Sequence, residues 1–180
     1  MIAQTQAANP KVDLVTASSA DEPVLANLLQ LYVHDFCDLV SIEIGDDGRF
    51  AYPSLSSYWT NPEYHAFLIK ADSLLAGFVL VSLKFPASNN AKTPTDTHDI
   101  QEFFILRTYR RRRIGKQAAH AVWRRFPGPW QVRVRQSNTS AIRFWSAAIA
   151  EFTGATVTPT IIQKDGQPWD IYSFQSHLLK

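Results

Sequence analysis

Phe103-Phe-Ile-Leu-Arg-Thr-Tyr-Arg-Arg-Arg-Arg-Ile-Gly-Lys-Gln-Ala118 passes from an apolar, β-prone run through a basic turn into a segment of small residues, and the rest of the chain is read outward from it. A helix start leaves its first N–H groups without intrahelical partners and carries a partial positive charge, so a helix beginning here favours an anion such as a pyrophosphate. Gly115 lets the backbone approach closely, and the neighbouring Arg and Lys side chains add charge-assisted bonds. Four consecutive arginines, Arg110 to Arg113, equally suit nucleic acid or a solvated helix start, so the turn alone leaves its ligand open.

Downstream, Ile114, Ala118, Ala121 and Val122 predict a helix from Ile114 to about Phe126, stopped by Phe126-Pro-Gly-Pro129. Trp130 to Arg135 alternates as a half-buried strand, and Thr139 or Ser140 caps a helix carrying Ala141, Phe144, Trp145, Ala148, Ile149 and Phe152 on one stripe, ended by Gly154. Thr156 to Ile162 and Trp169 to Gln175 read as two strands around Asp165-Gly166. Upstream, residues 1–11 read as a loose tail before a strand at Val12 to Thr16. Ser19 and Glu22 form a capping-box signature for a helix whose apolar face holds Val24, Leu25, Leu28, Leu31, Tyr32 and Phe36. Ser41 to Pro62 is a loop or broken helix whose aromatics suit a pocket rim. His65 to Lys70 and Leu75 to Leu83 form a hairpin across Ala71-Asp72-Ser73, and Lys84 to Thr97 is a loop. Asp99 to Leu106, apolar on both faces except for Gln101 and Glu102, reads as a central strand. The order implies a mixed sheet flanked by helices.

Hydrophobic residues at 46%, with 12% aromatic and 19% charged, exclude disorder and collagen-like repeats, and 180 residues suit one domain. The single Cys37 excludes an internal disulfide and a multi-thiolate zinc site and fits a reducing compartment. The longest apolar stretch, Ala66 to Leu83, is broken by Lys70 and Asp72, and no basic-then-apolar segment opens the chain, so a cytoplasmic protein without membrane attachment is expected. Charge is segregated: 11 of the 18 Lys and Arg residues fall between Arg107 and Arg143, a stretch without Asp or Glu, while residues 1–102 hold 13 acids against five bases. A basic and an acidic face side by side suit an anionic ligand next to a cationic one.

Arg110-Arg-Arg-Arg-Ile-Gly115 after a strand, followed by Asn138-Thr-Ser-Ala-Ile-Arg-Phe-Trp145 on a helix, resembles the GNAT superfamily of acetyl-coenzyme A dependent N-acetyltransferases, closely over residues 98–154. The resemblance implies an α/β (α+β) fold with a mixed, mostly antiparallel central sheet and helices on both faces, in one domain spanning 1–180. It implies that Phe103, Phe104 and Ile105 pair their backbone with the pantetheine arm of acetyl-coenzyme A. Arg111, Arg112, Arg113, Ile114, Gly115 and Lys116 would wrap the pyrophosphate, Arg110 and Asn138 would contact the cofactor, and Phe144 and Trp145 would pack near its thiol end. Two positions depart from the family pattern: Arg113 replaces a motif glycine, and Trp145 stands where many relatives carry a tyrosine that protonates the departing thiolate. An indole N–H has no useful acidity.

In the family an amine attacks the thioester directly within a ternary complex. Glu102 is the preferred general base, because burial on a central strand raises a carboxyl toward the working range; pairing with His98 or an arginine is the competing reading. His34, Asp35, His98 and Asp99 are weaker candidates, Tyr109 is read as packing, and no spacing resembles a metal site. The acidic residues Asp35, Asp38, Glu43, Asp46 and Asp47 predict a small cationic amine as acceptor. Nucleic acid and membrane are not expected partners, and a homodimer is left open. Two other readings stand beside the enzyme: a nucleic-acid module using Arg107 to Arg143, and a silent acyl-coenzyme A binder.

Overall fold

The computed structural model describes residues 10–83 and 97–177; the predicted tail up to position 9 and the loop over 84–96 lie outside the described residues. Seven strands form one sheet in the order β1-β2-β3-β4-β5-β7-β6. They are β1 (Val12–Thr16), β2 (Tyr64–Ala71), β3 (Leu74–Ser82), β4 (His98–Ile105), β5 (Gly128–Arg135), β6 (Thr160–Lys164) and β7 (Gln167–Ser176). Every neighbouring pair is antiparallel except β4 and β5. The helices are α1 (Glu22–Phe36), α2 (Ser57–Thr60), α3 (Ile114–Arg125) and α4 (Thr139–Thr153).

Strand alternation sorts the apolar residues onto two faces. Phe67, Ile69, Val79 and Val81 meet Ile114, Val122 and Trp123 of α3 and Trp145 and Ile149 of α4 in one core. Leu68, Phe78 and Leu80 meet Leu25, Leu28 and Leu29 of α1 and Leu55 before α2 in a second. Helices therefore cover both faces, as the family resemblance implies.

Several local expectations are corrected. The capping contact is made by Ser18 and Asp21, whose carboxylate accepts from the Ser18 N–H (2.9 Å) and hydroxyl (3.0 Å) ahead of a 3₁₀ turn over Ser19–Asp21. Glu22 instead accepts from the indole of Trp59 (2.8 Å) and ties α2 to α1. The buried stripe of α1 is Leu25, Leu28, Leu29 and Val33, at i, i+3, i+4 and i+8; Val24 and Leu31 fall off it and are exposed. Asn138, one residue earlier than expected, caps α4 by accepting from the Ala141 N–H (3.0 Å). Strand β6 starts at Thr160 rather than Thr156, immediately after Pro159, which has no N–H for a ladder. The hairpin turn is as expected, with both Asp72 and Ser73 at positive φ, the pattern of a two-residue primed turn.

Two irregularities in β4 create the site. Leu80 pairs with Glu102 but Val81 pairs with Ile100, so Gln101 is an extra residue, a bulge. A one-residue insertion reverses the side-chain alternation. Ile100 belongs to the α3/α4 core, yet beyond the bulge Phe103 and Ile105 face that core, while Phe104 faces α1. Glu102 is thereby turned toward α1 instead of into the α3/α4 core. The second irregularity is the short junction with β5, which pairs with β4 only at His98–Trp130 and Asp99–Gln131. Beyond these two rungs the strands part, and β5 continues with β7 alone through Arg135. Among the described residues, 101–105 of β4 have no strand partner on that side.

Strand β3 holds β4 closely at Gly77, where an added Cβ would lie 2.0 Å from the Phe104 carbonyl oxygen. Gly77→Ala forces the two backbones apart and is expected to lower the unfolding free energy by about 3 kcal/mol or more. Urea denaturation measures it; an unchanged midpoint contradicts the close approach.

Candidate active site

On one side of the open edge, the chain leaves β4 through a 3₁₀ turn (Arg107–Tyr109) and enters α3. Arg111 and Arg113 both adopt positive φ, 62° and 60°. This region costs side-chain-bearing residues roughly 1 kcal/mol or more, so Arg113 shows why a glycine suits the position and how an arginine can hold it, with its side chain in solvent. Arg113 is the N-cap of α3 and makes no side-chain cap, which leaves the first N–H groups of the helix free of such a partner. Alternating backbone of this kind forms a concave set of N–H donors suited to an anion. Arg111, Arg112 and Arg113 are exposed around it.

Other predicted members of the turn are engaged elsewhere. Lys116 bonds to Glu151 of α4. The Arg110 guanidinium binds Asp35 of α1, donates from Nε to the Ile105 carbonyl (2.7 Å) and lies over the Phe104 ring. Gly115 serves packing: an added Cβ would stand 3.2 Å from the Phe144 ring and 3.4 Å from Ile105. Phe103, Phe144 and Trp145 form one aromatic cluster, with ring centroids 4.8 to 5.8 Å apart, and Trp145 is buried. Asn138 commits its side-chain oxygen to the α4 cap and to the Ser140 hydroxyl (2.9 Å).

On the other side lies Glu102. Its two oxygens accept from two tyrosines, Oε2 from the Tyr32 hydroxyl of α1 and Oε1 from the Tyr52 hydroxyl (2.8 Å) of the α1–α2 connection. These, rather than His98 or an arginine, are its partners. Burial pushes the carboxyl up, and the two tyrosine bonds offset only part of that shift. Tyr32, Tyr52 and Tyr58 are all raised, first by burial and then by the Glu102 charge, so they remain hydroxyl donors. Beside them Asp99 is fully buried, bound to Arg133 of β5 and accepting from Gln101 (2.6 Å). Burial raises Asp99 to about 6 despite Arg133.

The remaining candidates separate from this centre. His98 stacks on Trp130 (4.9 Å) and is held down by burial, and His34 meets the edge of Phe50 (6.3 Å). Tyr109 packs against the α3/α4 core, as expected. Asp35 is neutralised by Arg107 (2.7 Å) and Arg110; burial raises its carboxyl, and the arginine bonds outweigh this and hold it low. A cavity of about 520 Å³ between α3, α4 and β7 shares no residue with the β4 opening. Two of its polar groups are committed, His120 to the Ala148 carbonyl (2.9 Å) and Glu151 to Lys116. Sequence reading misses the tyrosines around Glu102: Tyr32 falls in an apolar stripe and Tyr52 among rim aromatics, and only the bulge at Gln101 brings Glu102 to them.

The acetyltransferase (GNAT) family model matches residues 25–148, from α1 through α4. The chain belongs to the GNAT acetyltransferase family. Solved structures show the same fold at low identity. An acetyltransferase from Thermus thermophilus is 18% identical, with a TM-score of 0.65 over 93% of this chain and 98% of that one. An aminoglycoside acetyltransferase in complex with coenzyme A is 12% identical, with a TM-score of 0.65 over 92% and 95%. A variant spermidine N-acetyltransferase from Vibrio cholerae is 9% identical, with a TM-score of 0.58 over 92% and 94%. Curated proteins give no match to the sequence. Among the described residues no helix of this GNAT chain is long and apolar enough to cross a membrane, and no group of three His, Cys, Asp or Glu side chains could hold a metal.

The buried Asp99 gives this GNAT fold a pH signature. Its folded pKa of about 6 lies above the ordinary value of 3.8, so the native state holds the proton more tightly and loses stability as pH rises through that window. The unfolding free energy of the wild type relative to Asp99→Asn is expected to fall by on the order of 3 kcal/mol between about pH 4 and pH 7. Urea titrations at several pH values measure the difference; a flat difference contradicts the assignment.

Proposed function

We propose that this protein transfers the acetyl group of acetyl-coenzyme A to the primary amine of a small cationic acceptor. The observation that carries the reading is the placement of two unlike features on β4: an edge without a strand partner leading into an uncapped, basic helix start, and a half-buried carboxylate turned to the opposite face by the bulge. The first suits an extended amide-rich arm ending in a pyrophosphate. The second suits an ammonium. The residues that fit the donor are the backbone of 103–105 and 111–116 with the exposed Arg111, Arg112 and Arg113; Phe103, Phe144 and Trp145 wall its thiol end.

Acetyl-coenzyme A, when bound, supplies an acyl carbon already activated by a thiol leaving group. Glu102 accepts the proton of the acceptor's ammonium, and burial, by raising the carboxyl, makes it a stronger base for that exchange. The free amine then attacks the acyl carbon, the C–N bond forms as the C–S bond breaks, the sulfur leaves with its electron pair, and the second proton shed by the nitrogen as it becomes an amide passes to water. The unpaired edge of β4 offers backbone donors to the acyl oxygen. Trp145 supplies no proton, so the thiolate, whose parent thiol has a pKa of roughly 8 to 9, leaves as the anion and is protonated by water.

Exposed Asp38, Glu43, Asp46 and Asp47 support a positively charged acceptor. Asp35 adds nothing to that attraction, since two arginines neutralise it. Free-thiol release from acetyl-coenzyme A, screened across monoamines, polyamines, amino sugars and lysine peptides, is expected to find turnover with a cationic amine; release with anionic or neutral acceptors alone contradicts the acceptor class. Glu102→Gln is expected to lower kcat/KM by about 10² to 10⁴ while leaving coenzyme A affinity within a few-fold. Full activity in that variant removes Glu102 from the chemistry.

A further inference from the structure

Arg110 is among the residues that the family resemblance assigns to the cofactor, yet its guanidinium is held against α1. Three contacts fix it: Asp35 of α1, the carbonyl of Ile105 at the end of β4 (2.7 Å), and the Phe104 ring (5.6 Å). Arg107 doubles the tie, reaching Asp35 from Nε (3.0 Å) and from its terminal nitrogen (2.7 Å). One carboxylate on α1 thus binds both ends of the 3₁₀ turn that links β4 to α3.

Tyr32 lies three residues before Asp35, on the same side of α1. Its ring packs edge-on against Phe36 (4.9 Å), Phe78 (5.9 Å) and Phe104 (5.9 Å), and its hydroxyl reaches Glu102. A helix bound at Asp35 can neither rotate nor slide without withdrawing that hydroxyl. Phe104 is common to both groups, touched by Arg110 on one side and Tyr32 on the other.

We propose that Asp35 and Arg110 are positioning residues, a latch between α1 and the cofactor turn that holds the Tyr32 hydroxyl on Glu102, and that Arg110 is not a phosphate ligand. The inference rests on the reading of Glu102 as the base for its catalytic meaning, although the latch itself is structural. The groups facing Glu102 are Tyr32 from α1, Tyr52 from the connection, Tyr58 from α2 and Arg133 from β5; Asp99 of its own strand lies beyond them, acting on Tyr58 and bound to Arg133. Asp35 and Arg110 act on Glu102 through Tyr32. Loss of a hydroxyl donor to a carboxylate raises its pKa.

The signs separate a latch from simple charge. By charge alone, Asp35→Asn removes a negative neighbour and lowers the Glu102 titration, whereas Arg110→Lys keeps the charge and leaves it in place. By the latch, Asp35→Asn breaks both arginine ties and raises it, whereas Arg110→Lys breaks one, keeps the Arg107 tie and raises it less. Carboxyl carbon-13 titration of glutamate-labelled protein, with Glu102 assigned by the signal lost in Glu102→Gln, reads this without turnover. Tyr32→Phe calibrates the shift. Asp35→Asn is expected to move Glu102 upward by roughly half a pH unit or more and Arg110→Lys upward by less, and a downward or absent shift in Asp35→Asn overturns the latch. Calorimetry with coenzyme A is expected to give Arg110→Lys a Kd within about twofold of wild type; a weakening of about tenfold or more, the cost of a lost charge-assisted bond, makes Arg110 a phosphate ligand instead. Should Glu102→Gln keep full activity while the titrations move as expected, the base assignment fails and the latch stands.

Discussion

Two parallel rungs, His98–Trp130 and Asp99–Gln131, join the two halves of the sheet, and the function read from this molecule depends on the strands parting directly after them. A sheet strand seldom leaves one edge open in the middle of a fold, because unpaired N–H and C=O groups are costly when buried. Here the opening is held from both sides. β4 stays fastened to β3 as far as Ile105, and β5 stays fastened to β7 as far as Arg135. Phe103 packs on Phe144 and Trp145, so the floor of the gap is an aromatic cluster contributed by α4. At the apex the Asp99–Arg133 pair bridges the two strands from inside the protein, leaving Asp99 Oδ1 and Arg133 Nε without partners. Such under-satisfied buried polar atoms mark a place where stability has been given up.

The distribution of charge follows from this geometry more than from counts. The basic stretch from Arg107 to Arg143 divides into side chains paired with carboxylates, arginines laid on aromatic rings (Arg124, Arg125 and Arg135) and arginines left in solvent. Arg107 and Arg110 neutralise Asp35, Arg133 pairs with Asp99, and Lys116 pairs with Glu151. Arg111, Arg112 and Arg113 stay exposed where the helix start gathers backbone donors. The basic surface available to a polyanion is smaller than the sequence suggests, and its densest part sits at the end of the open β4 edge. The acidic amino-terminal half likewise surrenders Asp35 to the fold and Glu22 to Trp59.

Much of the fold is legible in the chain because it rests on local patterns. The hairpin over Asp72-Ser73, the apolar stripe of α4 and the Gly154 stop are each written within a few residues. The helix of residues 22–36 is equally legible as an element, but its buried face differs from the expected one by a strip: Val24 and Leu31 share a side that meets solvent. The candidate site is legible only where backbone chemistry carries it, in the turn from Arg110 to Gly115. Glu102 is found by its burial on a central strand, whereas its tyrosine partners are not. That pairing spans 70 residues for Tyr32 and 50 for Tyr52, and it exists because one extra residue at Gln101 reverses the face of the strand. No periodicity in the sequence announces a bulge between Ile100 and Glu102. The partner of Arg110 is illegible for a related reason, since Asp35 lies 75 residues away and only the docking of α1 brings the two together.

Amide hydrogen exchange with and without coenzyme A tests the central claim most directly, because it reads the open edge itself. Slowed exchange confined to residues 101–105 and 111–116 is the predicted result, the pattern of a ligand completing the β4 edge and filling the start of α3. Exchange unchanged there, or slowed instead around His120, Phe152 and Phe174 in the separate cavity, would contradict the account.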